Sequence, residues 1–180
     1  MVLSSEDRWS VMKSFFSSKG LVRQHLDSYN DFVERRIKQI VSDVGKIEPD
    51  IENYYVRLGR LEIQNPSVRE ADGSVRNITP SEARIRNLTY SSPIYLEMTP
   101  VYQDKKTGME YDEETTSVYI GRLPIMLKSA YCRLSSMTPE ELVEAGEDPN
   151  DPGGYFIING SERVLVTQED LAPNRILIEE

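Results

Sequence analysis

Apolar positions recur with a helical period in the first 45 residues and with a shorter one after residue 54. Trp9, Met12, Phe15 and Phe16 predict a helix over 6–17, broken at Gly20. Tyr29, Phe32, Val33, Ile37, Ile40, Val41 and Val44 form one stripe, with Glu34, Arg35, Arg36 and Lys38 off it. That stripe predicts a helix over 28–44, entered through Ser28 and Asp31 as a capping box and stopped at Gly45. Val56, Leu58, Leu61 and Ile63 then predict strands, with a bulge or break at Gly59. Ala71-Asp72-Gly73 is a turn signal. Thr79-Pro80-Ser81-Glu82 predicts a short helix in which Thr79 caps and Glu82 closes the box. Residues 94–102 and 115–121 read as a hairpin around a loop holding Lys106-Thr107-Gly108. Thr138-Pro139-Glu140-Glu141 starts another helix, stopped by Gly146, and 148–154 is a Pro/Gly loop. YFII, Asn159-Gly160 and SERVLVTQ predict a hairpin with a primed turn. A last strand, Arg175 to Ile178, begins as the sequence stops. This predicts a unit that is incomplete at that end or that takes partner strands from elsewhere.

The fold class expected is therefore α+β, with N-terminal helices followed by mixed or antiparallel strands and hairpins. Residues 1–45 form a helical segment and 46–180 an α+β segment, together one domain or part of one. No apolar run approaches the ~18 residues of a membrane span, and no secretory pattern opens the chain. A cytoplasmic chain without membrane contact is expected.

Chemistry narrows the field further. The only cysteine is Cys132 and the only histidine is His25. An internal disulfide and a Cys/His zinc site are excluded. Cys132 reads as a small buried hydrophobe, and His25 as structural. Gly121 and Lys128-Ser129 mimic a phosphate loop, but the apolar run Leu123-Pro124-Ile125-Met126-Leu127 between them lacks the needed glycine. No spacing singles out an acid/base pair, so no catalytic residue and no metal ligand is assigned.

The net charge of -9 opposes a free-standing nucleic-acid-binding domain. The charge is uneven: 118–137 holds Arg122, Lys128 and Arg133 and no acid, while 138–152 holds Glu140, Glu141, Glu144, Glu147, Asp148 and Asp151. Acidic loops of this kind read as solvated surface. Lys19, Arg23, Arg84, Arg86, Arg122 and Lys128 are candidate phosphate contacts, each weighed against a surface salt bridge or a snorkelling side chain. Arg163 and Gln168 sit five apart on the last long strand, so only a bend or bulge would bring both to one ligand.

Four stretches carry a resemblance. SKGLVRQHLDSYNDFV (18–33), ARIRNLTYSSPIYLEM (83–98), IGRLPIMLKS (120–129) and DPGGYFIINGSERVLVTQEDLAPNR (151–175) resemble the N-terminal part of the second-largest subunit of archaeal RNA polymerase. Residues 46–55 and 103–116 match least and read as variable loops. The resemblance implies the first part of the protrusion domain, on one wall of the cleft of a DNA-directed RNA polymerase that makes RNA from nucleoside triphosphates. The fragment alone would be inactive. It implies as partners the largest subunit, the remainder of the second-largest subunit, the DNA template and the RNA–DNA hybrid. Mg2+ would be held mainly by the largest subunit and zinc elsewhere, with no cofactor in this segment. By this likeness Arg163 and Gln168 are the candidate nucleic-acid contacts. The alternative for Arg163 is internal, holding Glu162, Glu169 or Asp170. The competing readings are a purely structural assembly module and a free-standing nucleic-acid binder.

Overall fold

The computed structural model describes residues 4–104, 107–171 and 173–174. Lys106 and the strand expected over Arg175 to Ile178 lie outside the described residues.

Helix α1, Ser5–Lys19, starts at a capping box between Ser4 and Asp7 and ends at Gly20. It buries no residue, so its apolar side chains stay open; Trp9 is 64% exposed. Helix α2, Arg23–Asp31, runs through a π-helical turn, Phe32–Arg36, into α3, Ile37–Val44. Its start differs from the expected Ser28. Arg23 pairs with Asp27 one turn on at 2.7 Å, and the Ser28 hydroxyl donates to the His25 carbonyl inside the helix. The π turn has a sequence cause. Tyr29, Val33, Ile37 and Val41 recur every four residues, which overshoots a 3.6-residue turn. The wider closure, with the Ile37 N–H bonded to the Phe32 carbonyl, absorbs the surplus and keeps the four on the packed side.

The main sheet is antiparallel throughout. β1 (Lys46–Ile47) pairs β2 (Tyr54–Ile63), and β2 pairs the long β5 (Ser91–Gln103). The other edge of β5 carries β7 (Thr116–Pro124) along its first part and β6 (Glu110–Asp112) along its last. The register slips between Leu58 and Leu61, which is the bulge expected at Gly59. A second slip, between Ile94 and Tyr95 against Gly121 and Tyr119, carried no such signal. The stretches 46–55 and 103–116 are not only loops, since β1 and β6 lie within them. A small hairpin, β3 (Ser67–Arg69) and β4 (Val75–Asn77), turns through Asp72, whose carboxylate accepts from the Ser74 N–H at 2.9 Å.

Helix α4, Pro80–Ile85, is capped by Thr79, but Glu82 does not close a box. Glu82 instead joins Glu70, Arg76 and Arg86 in a surface cluster; Arg86 reaches Glu82 at 2.7 Å and Glu70 at 2.8 Å. A 3-10 turn, Arg133–Ser136, leads to α5, Pro139–Glu144, which has a full capping box between Thr138 and Glu141. The last regular elements among the described residues are β8 (Phe156–Ile158) and β9 (Ser161–Arg163). Three apolar clusters hold these parts together. The largest joins Ile78, Ala83, Tyr90, Ile125, Leu127, Cys132, Leu134, Leu142 and Ile157. Tyr29, Val33 and Met126 form the second, and Leu61, Ile94 and Leu96 form the third under α3. Burial pushes the Cys132 thiol above its ordinary range, as a structural cysteine requires.

The surface cluster makes a pH prediction. Arg76 and then Arg86 hold the Glu82 carboxyl at about 2, against an ordinary 4.5. A depressed carboxyl stabilises fully above its unfolded pKa and ceases to do so as pH falls through the folded one. Glu82→Gln is expected to be less stable than the parent at neutral pH, with the gap closing between about pH 4.5 and pH 2. Unfolding midpoints across that range measure this; a gap that ignores pH would assign the loss to packing.

Candidate nucleic-acid interface

Both predicted site residues follow from one hairpin, so its anchoring decides where they point. Asn159 (φ 49°) and Gly160 (φ 77°) make the expected primed turn. The turn rests on the α4–β5 connection: the Gly160 N–H donates to the Leu88 carbonyl at 2.9 Å, and the Asn159 N–H to the Thr89 hydroxyl at 3.1 Å. The Tyr90 N–H donates to the Ile157 carbonyl at 3.0 Å, and Ile157 is fully buried.

Alternation gives the hairpin two faces. Glu162 lies opposite Ile157, and Arg163 opposite Phe156. On the first face Glu162 meets Arg84, the centre of a polar cluster. Arg84 Nε donates to Glu162 at 2.8 Å, Nη1 to Glu147 at 2.8 Å and Nη2 to the Tyr155 hydroxyl at 2.9 Å. Tyr155 in turn donates to Asp151 at 2.5 Å. The Glu147 side chain is only 4% exposed. Burial raises the Tyr155 hydroxyl pKa, with the Asp151 hydrogen bond second, so it stays protonated and bridging at neutral pH.

On the second face, Phe156, Ile158 and Arg163 line an apolar cavity of about 530 Å³ with His25, Tyr29, Phe32, Leu123 and Met126. Leu165 and Thr167 also line it, continuing the i, i+2, i+4 rhythm from Arg163. Gln168 does not. The structure thus leaves the two candidates apart: Arg163 at the cavity, Gln168 exposed beyond it.

The strand expected to run to Gln168 stops at Arg163. A strand persists only where a partner supplies hydrogen bonds, and β8 is three residues long. Ahead of it the Tyr155 carbonyl accepts from Leu127 at 2.9 Å and the chain turns away at Gly153-Gly154. Val164, Leu165 and Val166 are exposed and irregular.

The cation inventory shrinks on folding. Arg84 and Arg86 are committed to carboxylates, and Arg23 to Asp27. Arg122 donates to the Ser91 hydroxyl at 2.9 Å and the Ser91 carbonyl at 2.8 Å, and Lys128 bonds the Asp151 carbonyl. Among the described residues neither Lys19 nor Arg163 has an ion pair. The internal partners considered for Arg163 are not taken up, and Glu162 turns to Arg84 instead. Also among the described residues, no three His, Cys, Asp or Glu side chains gather to hold a metal ion, and no helix is long and apolar enough to cross a membrane.

Comparison with known sequences adds the lineage. The sequence model of a family described as RNA polymerase beta subunit matches residues 20–175. The chain belongs to that family. The match takes in the whole hairpin, Arg84 and the cavity, and leaves α1 outside it. The DNA-directed RNA polymerase subunit Rpo2 of Saccharolobus shibatae is 55% identical over 177 residues, covering 98% of this chain and 15% of that protein. Subunit Rpo2N of Methanocaldococcus jannaschii is 54% identical over 170 residues, covering 94% of this chain and 34% of that protein. Subunit Rpo2N of Halobacterium salinarum is 48% identical over 183 residues. The chain therefore spans between 15% and 34% of the length of these first two relatives.

Proposed function

We propose that this chain serves as part of a DNA-directed RNA polymerase, in DNA-templated RNA synthesis from nucleoside triphosphates. The observation that carries the reading is the family match over 20–175, joined to relatives named as polymerase subunits. In this reading the chain is the first part of the protrusion, on the wall of the cleft, in a cytoplasmic enzyme. It contacts the largest subunit and the rest of the second-largest subunit. It performs no catalysis itself. Mg2+ belongs mainly to the largest subunit and zinc to other parts of the enzyme, and no step through a metal is assigned to residues of this chain.

Arg163 and Gln168 are the residues proposed to face the DNA template and the RNA–DNA hybrid. Arg163 supports this because it is exposed and has no ion pair among the described residues, while five of the six other candidate cations are spent internally. A guanidinium so placed suits bidentate pairing with phosphate, and a Gln amide suits hydrogen bonding to backbone or base. The test uses polymerase assembled with the complete subunit carrying Arg163→Ala or Gln168→Ala. Arg163→Ala is expected to make elongation complexes dissociate at lower salt, with the salt slope reduced by about 0.9 for a lost duplex phosphate contact. Gln168→Ala is expected to weaken the complex with no change in slope. Unchanged elongation and unchanged complex stability in both would favour the purely structural module.

A further inference from the structure

We infer that Glu162 is a positioning residue whose link to Arg84 sets the direction in which the chain leaves β9, and so aims Arg163. The inference rests on the reading of Arg163 as a nucleic-acid contact.

Little holds the outgoing chain. β9 is three residues long and, among the described residues, pairs only with β8. Beyond it, 164–171 has no regular structure. Among the described residues, the Arg84–Glu162 pair is the last side-chain hydrogen bond and ion pair between this strand and the body of the protein. Glu162 and Arg163 are adjacent, so their side chains leave opposite faces. Fixing Glu162 against Arg84 therefore turns Arg163 toward the cavity side, together with Leu165 and Thr167.

The receiving group is already rigid before Glu162 arrives. Arg84 is held from behind by Glu147 and from the side by Tyr155, itself bonded to Asp151. A planar guanidinium fixed on two sides offers its Nε–H in one direction only. Glu162 is half-exposed, with 55% of its side chain open to water, whereas Glu147 is buried. The two carboxylates thus have different roles on one arginine. Glu147 carries stability; Glu162, as an exposed partner, contributes little stability and fixes an angle.

That division gives a readout that a structural role alone would not produce. Elongation-complex lifetime would be measured in polymerase assembled with the complete subunit carrying Glu162→Ala, Glu162→Gln, Arg163→Ala or the double alanine change. Glu162→Ala is expected to shorten the lifetime about three- to five-fold, the upper range an exposed pair can transmit. The unfolding midpoint is expected to move by no more than about 2 °C. Glu162→Gln is expected to restore most of the lifetime, because its amide oxygen still accepts from Arg84. The double variant should be no worse than Arg163→Ala alone, since both changes act through one contact. A parent-like lifetime in Glu162→Ala beside a shortened one in Arg163→Ala would overturn the positioning role and leave the Arg163 reading standing. Additive effects would overturn it too. A parent-like lifetime in Arg163→Ala would remove the underlying reading, and this inference with it.

Discussion

Replacing Arg84 with alanine is expected to destabilise the chain by about 3 kcal/mol, the range for removing one partner of a buried ion pair. The reason is Glu147 rather than the lost contacts. Its side chain is 4% exposed, and one of its oxygens, Oε1, has no hydrogen-bond partner among the described residues. With Arg84 gone, the other oxygen loses its donor and a buried carboxylate is left without a compensating charge. The Tyr155 hydroxyl would still donate to Asp151 but would lose the Arg84 N–H that donates to its oxygen. Denaturant titration measures the loss as a shift in midpoint at constant m. Arg84→Met with Glu147→Leu should recover much of it, because no charge is then left buried. A loss below about 1 kcal/mol in the single variant would mean that water already reaches Glu147.

This cluster was the least legible part of the sequence. Arg84, Glu147, Asp151, Tyr155 and Glu162 are brought together from α4, the acidic loop and the final hairpin. Composition marks 138–152 as a solvated acidic stretch, and most of it is; Glu147 is the exception, turned inward by the tight turn after α5. Charge counts along a chain carry no information on which single carboxylate is buried. The same blindness applied to Arg122, a candidate phosphate contact by composition. Folding spends it on the carbonyl and hydroxyl of Ser91.

Most signals that act locally are legible: the Thr79 and Thr138 helix starts, the Gly59 bulge and the Asn159-Gly160 turn. Each is decided by a few neighbouring residues. Two local expectations differ, since α2 starts ahead of the Ser28–Asp31 box and Glu82 pairs with Arg76 and Arg86 rather than closing a box at Thr79. The larger differences arise where a distant partner decides. SERVLVTQ has strand-forming composition, yet only Ser161–Arg163 finds a partner strand. β1 and β6 are too short to show a period and exist because β2 and β5 offer edges. The π turn at Phe32–Arg36 reconciles a four-residue apolar rhythm with a helix, and a search for 3.6-residue periodicity passes over it. The open apolar side chains of α1 are the converse case, since the pattern gave the helix but not what it packs against.

Gly160→Ala is expected to cost about 2–3 kcal/mol, combining a left-handed backbone with a collision. Gly160 has φ of 77°, which disfavours any side chain. An added Cβ would also lie 2.7 Å from Asn87 Oδ1 and 2.8 Å from Asn87 Cα. The second contact is with backbone, so a rotamer change cannot relieve it. The turn must lift from the α4–β5 connection, weakening the Gly160–Leu88 bond and the Asn159–Thr89 contacts that seat the hairpin. Gly73→Ala separates the two contributions. Gly73 has a similar φ of 87°, but nothing lies within 4 Å of an added Cβ there. It carries the conformational part alone, about 1 kcal/mol. Parallel unfolding measurements on the two variants give the collision by difference. Equal losses would mean that the hairpin tip is not pressed on Asn87. A larger loss at Gly160 would establish that close backbone approach seats the hairpin, with Arg84–Glu162 then acting on a turn already in place.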